Sequence, residues 1–114
     1  MSRKKKQIAL NPRLVSLIGF AKKSRNLDSG FEAVRRGIVK KKIAVVLLDE
    51  LLGESSLKKM LSLSRRNKIP AITVIKSDTT ESLFEITGNK IIGFRHGSLA
   101  AGFLEKLKQE CQWL

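Results

Sequence analysis

The chain has 114 residues, 42% of them hydrophobic, and a formal net charge of +13 from 23 Lys plus Arg against 10 Asp plus Glu. That suits one domain of ordinary size, about 100–150 residues, with apolar material for a core, and it excludes wholesale disorder or a separate regulatory domain. One Cys excludes a disulfide framework or multi-cysteine zinc site, and no apolar run nears the roughly 20 residues that span a bilayer, so a basic cytoplasmic protein off the membrane is expected.

Residues 1–11 read as a flexible basic arm. Arg3-Lys4-Lys5-Lys6 are clustered, and Ile8-Ala9-Leu10 is too short for a signal-peptide core before Asn11-Pro12. Residues 12–114 read as a single domain. Pro12 opens a helix whose Leu14, Leu17, Ile18 and Ala21 recur at helical spacing, with Lys22, Lys23 and Arg25 crowding its end. An extended link through Leu27 leads to Ser29-Gly30. Ser29 and Glu32 have capping-box spacing, so a second helix is expected there, with Phe31, Val34 and Ile38 inward and Arg35, Arg36 and Lys40 outward.

The unbroken apolar run Ile43–Leu48 predicts a central strand covered on both faces, ended by Asp49-Glu50. Leu57, Met60 and Leu61 mark a third helix running to about Asn67, and Ala71–Ile75 a second strand. Asp78 with Glu81 predicts another capping box before a short helix of Leu83 and Ile86, stopped by Gly88. Lys90–Phe94 predicts a further strand. Ser98 is expected to cap a last helix with Ala100, Leu104, Leu107 and Cys111 on one face. Alternation of helices and strands predicts an α/β fold, a three-layer α/β/α sandwich around a small, roughly four-stranded mixed sheet.

The charge is lopsided. Residues 1–42 hold 13 basic residues against two acidic ones, a net of +11, and residues 43–114 carry only +2. Such a field favours a polyanion docking on the N-terminal half, with nucleic acid the leading class. Membrane binding is disfavoured, because no helix offers the bulky apolar face of an interfacial anchor.

A search for catalytic chemistry is mostly negative. His96 is the lone histidine and reads as a surface loop residue between Arg95 and Gly97, and Cys111 reads as a small buried hydrophobe. Asp49 and Glu50 end the central strand, where a magnesium site is conceivable, but the other strand ends supply Lys76 and Arg95 in place of further carboxylates. No glycine pattern matches a nucleotide loop, Tyr is absent, and Trp113 is terminal. No enzyme activity, cofactor or metal is expected. The most informative element is the turn Asp28–Glu32, where Gly30 permits close approach and a helix N-terminus offers free amides. Arg36 and Lys40 continue along the same exposed side.

The stretches Leu17–Lys23, Asn26-Leu27, Ser29–Val34, Lys41–Glu50 and Lys68–Pro70 together resemble the kink-turn-binding ribosomal protein superfamily of the L-seven-Ae and L-thirty-e type, and most of all its bacterial YlxQ-type members. The resemblance spans roughly residues 12–110. It implies an α/β/α sandwich that binds RNA without catalysis, the start of its second helix reading guanines of sheared G·A pairs in a sharply bent RNA. By position, Gly30, Phe31, Glu32 and Ala33 would form the reading turn, with Ser29 as an RNA-binding residue just before it and Arg36 one turn on. Asn89, Lys90 and Ile91 would belong to a loop covering a flipped-out nucleotide. Glu32 and Ala33 depart from the pattern, which has Asn or Lys and then Glu or Gln there, and Ala33 offers no hydrogen bond to a base edge.

The expected function is therefore binding of structured, ribosomal-type RNA. The alternative is a protein-interaction adaptor of the same fold, associated with ribosome, translation or transcription proteins.

Overall fold

The computed structural model describes residues 7–78 and 80–110. Its elements are β1 (Gln7–Ala9), α1 (Pro12–Lys23), β2 (Leu27–Ser29), α2 (Phe31–Val39), β3 (Ile43–Asp49), α3 (Glu54–Arg66), β4 (Ala71–Ile75), α4 (Leu83–Thr87), β5 (Ile91–Arg95) and α5 (Ser98–Glu110). The sheet runs β1-β4-β3-β5-β2. β3 pairs parallel with β4 and β4 with β1, whereas β5 is antiparallel to both β3 and β2. All strands but β5 thus point one way. The ends of β1 to β4 and the start of β5 form an upper edge, and the starts of β2, β3 and β4 form a lower one.

Along β3, side chains alternate between two cores. Val45 and Leu47 join Leu14, Ile18, Leu83, Phe103 and their neighbours under α1, α4 and α5. Ile43, Val46 and Leu48 join Val34, Ile38 and Met60 under α2 and α3. A register shift between Ile43 and Val45 puts Ala44 and Val45 against the same core. The three-layer sandwich is therefore as expected, with β3 at its centre.

The sheet has five strands, not four, because two edge strands of three residues each are too short to show periodicity. Part of the expected arm is one of them. Ile8 and Leu10 are buried in the first core, Ile8 pairs with Val74, and Leu10 N–H donates to Ile75 O at 2.9 Å. The extended link is the other, Leu27–Ser29 aligned on Phe94–Ile92. Arg3, Lys4, Lys5 and Lys6 lie outside the described residues, as do Cys111 and Trp113.

The caps also differ in detail. Asn11 Oδ1 accepts from Leu14 N and Pro12 opens α1. At α4 the reciprocal box is Ser82 with Glu85, not Asp78 with Glu81. Ser98 is the first residue of α5 rather than its cap.

α2 lies unusually close to the sheet. A Cβ on Gly37 would meet Ile43 side-chain atoms at 2.9 Å and Asp28 Oδ2 at 2.8 Å, and one on Gly93 would meet Ile43 Cδ1 at 2.9 Å. Ile43 thus wedges between two glycines, one on α2 and one on β5. Gly37→Ala is expected to lower stability by about 1–3 kcal/mol, the scale of overpacking a tight core. Gly19→Ala, in mid-α1 with nothing within 4 Å of its Cβ position, should raise it by about 0.5–1 kcal/mol through reduced unfolded-state entropy. Urea melts read both effects, and a Gly37→Ala midpoint equal to that of the unaltered protein would contradict the close approach.

Candidate nucleic-acid interface

The start of α2 is set by Gly30, whose φ of 92° only glycine adopts without strain. The expected Ser29–Glu32 capping box does not form. Ser29 is held in β2 opposite Ile92, Glu32 turns along the helix to Arg35 at 2.8 Å, and no side chain caps the first-turn amides. Those amides and the positive end of the helix dipole are therefore presented outward.

Gly30 N–H donates to Ile91 O at 2.9 Å, and Asn89 Oδ1 lies 3.5 Å from where a Gly30 Cβ would stand. The two segments singled out in the sequence, the α2 turn and residues 89–91, thus share one upper edge. The turn before β5 is itself firmly held. Gly88 takes a left-handed φ of 82°, and its N–H donates to Phe84 O at 2.7 Å. Thr87 Oγ1 lies 2.9 Å from Leu83 O and 3.0 Å from Asn89 O, and accepts from Asn89 N–H.

Not every candidate residue faces this edge. Ile91 is core, 4% exposed, and offers the edge only its carbonyl. Phe31 is half-buried against the second core and beside Leu63 of α3. Ala33 and Arg36 instead border, together with Lys40, a shallow depression that Asp28, Lys42 and Arg95 also line. Lys40, ten residues beyond Gly30, is about 15 Å further along the helix axis and belongs to the lower edge. Lys90 starts no strand: its exposed side chain stands over the Phe84 ring, Nζ 5.7 Å from the centroid. Phe84 is 48% exposed and was missed in the sequence. The only signal was its place on the outer side of a five-residue helix between buried Leu83 and Thr87.

Asp28, at the head of the turn, is spent on structure. Its carboxylate binds Arg95, Oδ1 to Nη2 at 2.7 Å and Oδ2 to Nε at 3.3 Å. The hydrogen bond first, and the charge second, hold the guanidinium above its ordinary range.

Asp49 and Glu50, weighed as a magnesium site, are engaged otherwise. Asp49 is buried; Oδ1 accepts from Leu51 N at 2.8 Å and Oδ2 from Phe84 N at 3.0 Å. Its own N–H donates to Lys90 O at 2.9 Å. One aspartate thereby ties β3 to both α4 and the turn before β5. Glu50 accepts from Lys76 N. Among the described residues no three His, Cys, Asp or Glu side chains gather as a metal cluster, and no helix is long and apolar enough to cross a membrane. His96 is exposed beyond β5 and donates its N–H to Lys42 O.

No protein-family model and no curated protein matches the chain. Solved structures do. A Bacillus halodurans protein of unknown function is 25% identical with a TM-score of 0.64, over 87% of this chain and 96% of its own. A 15.5 kD RNA-binding protein from Giardia lamblia superposes with a TM-score of 0.66 over 88% and 92% of the two chains at 9% identity. An archaeal translation termination factor matches with a TM-score of 0.55 at 15% identity, over 70% of this chain and 23% of its own. The last two likenesses are likenesses of fold.

Two outcomes follow for the edge. Asp49→Ala leaves two amides without their acceptor and is expected to cost about 2–4 kcal/mol, with amide shifts spreading from Leu51 and Phe84 to residues 88–91. Shifts confined to residues 48–52 would contradict the tie. Glu85 is held below its ordinary range, chiefly by the Ser82 backbone N–H and next by Lys76. Its stabilisation is therefore present above the ordinary Glu pKa and lost as pH falls through the lowered one. Acid unfolding of Glu85→Gln should show a shallower loss over that window, and an unchanged slope would deny the carboxylate this role.

Proposed function

We propose that the protein binds structured RNA, presenting the start of α2 and the turn before β5 as one docking edge, and that it acts by binding rather than catalysis. The observation that carries this reading is the Gly30–Ile91 hydrogen bond, which joins the two segments that the superfamily resemblance assigns to base reading and nucleotide covering. The net charge of +13 and the fold shared with an RNA-binding protein and part of a translation termination factor support it.

In this reading the uncapped amides of α2 receive phosphates or base acceptors, and Arg36 adds charge beside the edge, from the depression it borders. Asn89, Lys90 and the exposed Phe84 ring lie over an extruded nucleotide. A kink-turn is the RNA form that suits such an edge, because sharp bending opens the deep A-form groove that side chains otherwise cannot read. Ribosomal or other translation-linked RNA is the expected source, with ribosome or translation proteins as neighbours.

A second reading, a protein-interaction adaptor of the same fold, draws on the Glu32–Arg35 pair and Ala33, which leave the turn poor in base-reading groups. Titration with a kink-turn hairpin, and with the same hairpin carrying disrupted G·A pairs, separates the two at low and near-physiological salt. A preference for the intact hairpin that survives higher salt, and falls at least tenfold in Arg36→Glu or Lys90→Glu, is expected for base readout. Equal affinities for the two hairpins at both salts would overturn the reading edge and favour the adaptor.

A further inference from the structure

We infer that the lower edge of the sheet, opposite the proposed reading edge, is a second RNA-contact surface that holds the phosphate backbone of a duplex. It goes beyond the reading above and stands even if the α2 turn reads no base. The alternating topology brings the C-termini of three helices to this edge, and each ends in a basic triplet. α1 closes with Lys22 and Lys23, followed by Arg25. α2 is followed by Lys40, Lys41 and Lys42. α3 closes with Arg65 and Arg66, followed by Lys68. All nine side chains are exposed, and among the described residues none is in an ion pair.

Cations at helix C-termini are first of all complements to the helix dipole. Each such end carries only about half a negative charge, so three ends offset roughly one and a half of nine positive charges. The acid beside this excess, Asp28, shares a depression with Lys40 and Lys42. Asp28 is occupied by Arg95, and the other acids near strand ends gather at the opposite edge: Glu32 and Glu54 open α2 and α3, while Glu50, Asp78 and Glu81 follow β3 and β4. The molecule is thus polarised, and its positive pole faces away from the reading edge.

One residue of each triplet has a left-handed backbone in the turn that leaves the helix: Arg25 at φ 63°, Lys41 at 61° and Lys68 at 58°. Asn and Gly serve such positions at lower conformational cost, yet this chain has a cation at all three. Between α2 and α3 a hollow floored by Ile38, Ile43 and Ile69 is rimmed by Lys41, Lys68 and His96, giving the pole a concave centre.

Solvated cations spread over three helix ends suit a phosphate backbone, which is bound through charge and shape. A protein partner needs a more apolar interface core. A membrane needs a helix lying flat with a continuous apolar face, and the exposed Phe20 and Val39 on α1 and α2 are single side chains on opposite layers.

The test uses the full chain and an RNA duplex without internal loops. Arg25→Asn/Lys41→Asn/Lys68→Asn neutralises three cations with a residue that keeps the left-handed backbone. Lys23→Gln/Lys42→Gln/Arg66→Gln does so at ordinary backbone positions, and Lys59→Gln/Lys106→Gln/Lys108→Gln removes the same charge elsewhere. Losing up to three phosphate contacts should reduce the slope of log affinity against log salt by about two to three. Both pole variants are expected to bind the duplex at least tenfold more weakly at low salt and the control within about threefold, with each variant's preference between intact and disrupted kink-turn hairpins unchanged. Equal losses in pole variants and control would overturn the inference by reducing it to net charge. So would unchanged duplex affinity, or pole-dependent binding to anionic vesicles with none to RNA.

Discussion

The close approach of α2 to the sheet governs what the rest of the structure can present. Ile43 sits between Gly37 and Gly93 with no room for a Cβ on either, so the helix axis is pressed onto β5 and β2. The pairing of β2 with β5 runs on by one rung to the Gly30–Ile91 hydrogen bond, just where the helix begins. The Asp28–Arg95 pair reinforces the same contact, since it ties β2 to β5 just where Gly37 passes overhead. The pair is partly exposed and is worth little alone. Its effect is positional: it draws Asp28 inward and away from the helix start, which leaves Glu32 as the acid there.

Much of this was legible in the sequence, for identifiable reasons. The run Ile43–Leu48 could only be a strand buried on both faces, and helical spacing of Leu14, Ile18 and Ala21 fixed the face of α1. Elements long enough to repeat their period declared themselves. β1 and β2, at three residues each, did not, because one and a half alternations cannot be told from a loop. The capping boxes were misread for a related reason. Ser29 with Glu32 has the right spacing, but strand pairing to Ile92 removes Ser29 from the cap position, and tertiary pairing is invisible to local pattern. Asp49 was read as a polar strand end, and nothing near it in sequence points to Phe84, 35 residues on.

The candidate site was half legible. Gly30 and residues 89–91 do meet, yet the numbered set mixed outward groups with Phe31 and Ile91, whose side chains belong to the core. Position in a motif gives the backbone its place; which way each side chain turns depends on the sheet register. Lys40 illustrates the converse. It shares a helix face and one depression with Arg36, and helical spacing alone groups the two with the turn, but the rise of the helix carries the pair toward the other edge.

A three-layer sandwich of this kind spends both sheet faces on its cores, so function is left to the edges. The two edges are chemically unlike because strands of common direction make them so. Helix N-termini and carboxylates collect where β2 and β3 end; helix C-termini and lysines collect where they begin. The upper edge offers mainly backbone, amides and carbonyls fixed by Gly30, Gly88 and Asp49, and a surface of fixed dipoles discriminates by geometry. The lower edge offers long, solvated cations that adapt to any regular array of phosphates and discriminate little. Under the proposed reading one edge would set register and the other would supply affinity. The charge asymmetry first seen along the chain would then be an asymmetry between ends of the fold, not between its halves.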